Sequence, residues 1–151
     1  MAKQKKQTEF KSLVLNSNPD LAFILSAHLY VENCLIELLE IKLPFPDKLF
    51  REYKPSFQQL LAFCLAEGLI NDDLALVLKK LNTTRNKFSH NLQYHLDKNM
   101  TQDFLLALNK MEKPFYIALV EPDEYEFGLA VSALCGHIQV LVDENKKGHE
   151  K

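Results

Sequence analysis

Apolar residues recur along this chain at spacings of three and four, the period of a helix that buries one side. Leu21, Leu25, Leu35 and Leu39 follow that rhythm early in the chain. Leu74, Leu78, Leu81, Phe88 and Leu92 follow it in the middle. Polar and punctuating residues divide the pattern into elements. Ser17-Asn18-Pro19-Asp20 reads as a helix start with proline at the first helical position, so a long helix is predicted from Pro19 to about Lys42. Pro44 and Pro46 then punctuate a loop. Ser56-Phe57-Gln58-Gln59 has the spacing of a capping box and opens a short helix that Gly68 stops. Asn71-Asp72-Asp73 caps a third helix reaching about Tyr94. Thr101 opens a fourth, closed by Pro114, and Pro122 opens a fifth that runs to about Glu144. Phe115 to Val120 reads as a loop or helical turn, and no strand or internal repeat is expected.

These elements predict an all-α fold, an up-and-down helical bundle of four long helices plus one short one. The expected organisation is a single domain over residues 17–144, with a flexible basic tail at 1–16 and a second tail at 145–151. A chain of 151 residues suits one domain. The formal net charge of −2 supplies no global basic field, so any nucleic-acid contact has to be a local patch. Lys3, Lys5 and Lys6 read as a solvated tail. Cys34, Cys64 and Cys135 lie in apolar helical runs, without metal spacing, and read as buried free thiols of a reducing compartment. The opening residues lack the apolar core of a secretory signal, and no uncharged apolar run spans a bilayer. The expectation is a soluble cytoplasmic chain with no membrane association.

Candidate chemistry concentrates in the segment from Leu81 to Asn91. Arg85 fills the stripe position between Leu81 and Phe88, where an apolar residue is expected. Desolvating a guanidinium without a partner costs several kcal/mol, so it either reaches outward along its stem or finds an anion. Asn86 and His90 stand one helical turn apart on a face that points away from the stripe. In the first helix Ser26, Asn33, Glu37 and Glu40 make a solvated side, whereas His28 and Glu32 lie on the apolar side. A Glu32–Arg85 contact across the bundle is therefore expected, the alternative being that Glu32 reaches water at a helix seam. His28, His137 and His149 read most simply as structural or exposed. No zinc spacing, Walker loop, dinucleotide fingerprint or nucleophile elbow is present. Ser89 beside His90 lacks the third group of a hydrolase triad. Neither a metal nor a cofactor is expected, nor a basic recognition helix for specific DNA binding.

Arg85-Asn86-x-x-x-His90 resembles the R-x4-6-H signature of the HEPN superfamily, in which a polar residue often follows the arginine. The stretch from Ser56 to Asn91 resembles the mannitol-repressor-like branch: a helix ending in Gly-Leu-Ile, an acidic cap, then a helix carrying the motif. The toxin branch commonly has tyrosine two residues after the histidine; here that position is Leu92 and the nearest tyrosine is Tyr94. The resemblance implies a HEPN-like helical domain that binds RNA and, where active, cleaves it without a metal. Arg85, Asn86 and His90 then form the catalytic set, with Glu32 and Ser89 in support. It also implies a homodimer that brings two copies of His90 together, and a protein partner or antitoxin. The competing expectation is a non-catalytic helical interaction module or regulator that keeps the motif for structure.

Overall fold

A computed structural model of the chain describes residues 19–91, 95–111 and 124–150. Among the described residues every regular element is a helix: α1 (Pro19–Lys42), α2 (Pro46–Glu52), α3 (Phe57–Ala66), α4 (Asp72–His90), α5 (Lys98–Asn109) and α6 (Glu124–His149). α1, α4, α5 and α6 close a ring, each packed on the next and α6 back on α1, while α3 lies across α1 and α4. The fold is the all-α bundle expected from the periodicity. α1 and α6 run in the same direction, because their cross-contacts advance together. Tyr30 donates its hydroxyl to Gln139, and Glu37 pairs with Lys146 at 3.0 Å.

The stripes become the core. Leu21, Leu35 and Leu39 of α1 and Leu74, Leu78, Leu81 and Phe88 of α4 are all buried. Each such side chain contributes about 1.5–3 kcal/mol relative to exposure. α1 and α6 are each long and apolar enough, by length and composition alone, to cross a membrane. In the bundle their apolar sides form the core, with Ile24, Val31, Leu134 and Ile138 fully buried. Cys34 and Cys64 are buried free thiols and Cys135 is half-buried. Burial pushes the first two up to about 11 and about 12, and raises Cys135 as well.

The start of α3 forms as its sequence dictates. Ser56 Oγ accepts from Gln59 N–H at 3.3 Å, and Gln59 Oε1 accepts from Ser56 N–H at 2.8 Å. Gly68 ends the turn with φ of 69°, the left-handed region that favours glycine. Asn71 caps α4 through a 2.9 Å bond from Leu74 N–H.

Five boundaries differ from expectation, one of them the end of α5, which stops at Asn109, short of the expected close at Pro114. The Pro44–Pro46 loop continues into α2. Pro46 stands at the start of that helix, where a missing N–H costs nothing, and Asp47 and Arg51 pair at 3.7 Å along its exposed side. α4 stops at His90 rather than near Tyr94, with extended backbone at Asn91. α5 begins before Thr101, because Asp97 accepts from Met100 N–H at 2.8 Å and so caps it earlier. α6 runs through the expected tail to His149. Lys146 is held by Glu37, and Asn145 donates to the Leu141 carbonyl at 2.8 Å. The expected tail at 1–16, the Ser17–Asn18 cap, Leu92, Tyr94, Phe115–Val120, Pro114 and Pro122 lie outside the described residues.

Candidate functional site

The second half of α4 borders a polar cleft of about 390 Å³ where α1, the first turn of α3 and α4 meet. α1 contributes His28 and Glu32. The start of α3 contributes Ser56, Phe57 and Gln58, and α4 contributes Asn82, Arg85 and Asn86. The helix period explains the convergence. His28 and Glu32 are one turn apart on α1, as are Asn82 and Asn86 on α4, so two polar pairs face each other across the seam.

The floor is fixed. His28 is 7 % exposed, and its ring stacks on Phe57 with centroids 4.3 Å apart and planes 28° from parallel. Its Nε2 lies 2.9 Å from Asn82 Oδ1, which is also buried. The carbonyl oxygen accepts, so Nε2 carries the proton. Burial pushes the imidazole below its ordinary value. The bond to Asn82 opposes that shift, the Arg85 guanidinium adds to it, and the Glu32 carboxylate opposes it. The site therefore holds a neutral His28 near neutral pH.

Above this floor the charged groups stay apart. Glu32 and Arg85 share the cleft, but the expected ion pair between them does not form within 4 Å. Arg85 is half-buried rather than largely buried, and its Nη1 donates to Asn86 Oδ1 at 3.2 Å. One turn earlier the seam between α1 and α4 is bridged by the His28–Asn82 bond, while Arg85 turns along its own helix to Asn86. Glu32 is half-buried and makes no hydrogen bond or ion pair among the described residues.

The structure brings Arg85, Asn86 and Glu32 together but leaves His90 and Ser89 outside the cleft. His90 is exposed at the last residue of α4, next to Lys87 in the same turn. The Lys87 ammonium there suits the negative end of the helix dipole. Ser89 is exposed, and its hydroxyl donates to the Arg85 carbonyl at 3.1 Å, an intrahelical bond. The sequence reading missed Asn82 and the part His28 plays beside it. Asn82 stands four residues after Leu78, on the buried stripe, and an amide there requires a partner; that was the available signal. Among the described residues no three His, Cys, Asp or Glu side chains cluster closely enough to hold a metal ion. Comparison of the chain with models of known families, with characterised proteins and with solved structures finds no match.

Proposed function

We propose that this chain is a cytoplasmic HEPN-type protein that binds RNA at the α4 cleft and, as a two-fold dimer, cleaves it without a metal ion. One observation carries the reading. A half-buried guanidinium faces a polar cleft with no carboxylate among the described residues paired to it, which leaves Arg85 to clamp a phosphate. Asn86 orients it through the 3.2 Å bond. His90, exposed one turn further along the helix, is the proton-transfer group.

In the reaction, the ribose 2′-oxygen attacks the adjacent phosphorus as its proton passes to one His90. The bond from phosphorus to the 5′-oxygen breaks, and that oxygen takes a proton from a second acid. Arg85 stabilises the charge that develops on the phosphoryl oxygens. One His90 per chain supplies either the base or the acid, so the dimer supplies both.

The test is cleavage of RNA in excess chelator by the wild type and by His90→Ala. The expected result is a 2′,3′-cyclic phosphate product from the wild type and none from the variant, with the helical spectrum unchanged because His90 is exposed. Cleavage that survives His90→Ala overturns the mechanism. A second reading is favoured by the His28–Asn82 bond, which gives polar residues of this region a structural task. In it the chain is a non-catalytic interaction module of the mannitol-repressor-like type, and it shows as a wild type that leaves RNA uncut.

A further inference from the structure

We infer that the α4 cleft is a single-nucleotide pocket whose phosphate end is Arg85 and whose base-reading end is Glu32, with guanine as the preferred base. The inference rests on the RNA-binding reading and names the part of the RNA that the site selects.

Size and polarity come first. At about 390 Å³ the cleft falls within the roughly 300–1,000 Å³ typical of small-ligand pockets. Every side chain around it except Phe57 is polar, so it suits a ligand that is polar throughout. Charge arrangement narrows the class. Glu32 and Arg85 face one small volume, both half-buried, and form no ion pair within 4 Å. Half-buried charges left in this state carry a desolvation cost that a ligand of matching polarity repays. A simple anion satisfies Arg85 but is repelled by Glu32. A simple cation has the opposite fault. A nucleotide has an anionic phosphate at one end and hydrogen-bond donors at the other.

Glu32 then selects among bases. An ionised carboxylate only accepts hydrogen bonds, through two oxygens. Guanine presents two adjacent donors, N1–H and the 2-amino group, which match those oxygens. In adenine and cytosine the amino group lies beside a ring-nitrogen acceptor, and in uracil N3–H is flanked by two carbonyls; these neighbours repel a carboxylate. His28 supports the selection. Its bond to Asn82 and stacking on Phe57 hold the ring in place, and it presents no cation near neutral pH that could engage the Glu32 carboxylate.

The experiment is an NMR titration of the full chain with guanosine, inosine, adenosine, cytidine and uridine 3′-monophosphates, with inorganic phosphate, and with a mixed-sequence single-stranded RNA. The guanosine nucleotide should bind roughly tenfold or more tighter than the others, including inosine, which lacks only the 2-amino group. Its shifts should centre on Glu32, Arg85 and Asn86. Glu32→Gln, nearly isosteric, should abolish the preference while keeping phosphate-dependent binding. Arg85→Lys should weaken all nucleotides alike. The inference is overturned by equal binding of all the nucleotides, by inorganic phosphate binding as tightly as the guanosine nucleotide, or by a preference that persists in Glu32→Gln. The inosine comparison needs no variant, so misfolding of Glu32→Gln does not remove the test. If RNA binds through Arg85 without base preference, this inference fails and the RNA reading stands. If the guanosine nucleotide binds selectively and RNA does not, the pocket stands and the RNA reading fails.

Discussion

His28 is the residue whose environment most constrains its chemistry. Asn82→Ala removes the acceptor of a buried imidazole N–H and should destabilise the fold by roughly 1–3 kcal/mol, measured by urea unfolding. The pH dependence follows from the lowered titration of the same ring. Below the ordinary value of 6.5 the unfolded chain binds a proton that the folded chain resists. The stability contributed by neutral His28 is thus complete above that value and is lost as the pH falls through the depressed one. The melting temperature should drop between pH 7.5 and 5.5, and His28→Gln should flatten that part of the profile. Arg85 stood out in the sequence because a cation on a buried stripe is anomalous by itself. The partner of Arg85 was not legible. Periodicity states which side of a helix a residue occupies, but not how far its neighbour stands across the seam, and here the polar bridge between α1 and α4 is His28–Asn82 and not Glu32 with Arg85.

Elements were read most securely where a cap and a stripe agreed. α3 begins at its capping box and α4 at Asn71, as the sequence implied. Ser56→Ala should cost about 0.5–2 kcal/mol, visible as a lower urea midpoint with an unchanged slope. Because Ser56 also borders the cleft, the same variant shows whether a well-formed first turn of α3 is needed for ligand binding. α2 escaped the reading because it has no buried residue and hence no apolar stripe to announce it. The late end of α6 escaped because its last turns are polar, and the ion pair they make reaches Glu37, a residue more than a hundred positions away. Periodicity cannot report helical turns that bury no apolar stripe.

At the scale of the whole molecule, the bundle leaves His90 at an exposed end of α4, away from the cleft that holds Arg85. Within the proposed function this makes assembly a condition of cleavage. Sedimentation equilibrium should show a dimer at micromolar concentrations, with cleavage rate rising faster than protein concentration below the dissociation constant. A strictly monomeric chain with undiminished cleavage contradicts that arrangement. The all-α class was legible from the sequence. The shared direction of α1 and α6 was not, because it is set by contacts between the first and last helices rather than by any local signal.

That contact has a consequence for how the protein is made. Tyr30 and Gln139 meet across a separation of 109 residues. At about 5–20 residues per second, a ribosome delivers α6 on the order of ten seconds after α1. Throughout that interval the flank of α1 marked by Tyr30, Cys34 and Glu37 has no neighbour, and the nascent chain presents an apolar surface suited to a chaperone. A fragment released at Met111 should therefore aggregate or remain chaperone-bound, whereas adding α6 as a separate peptide should restore solubility.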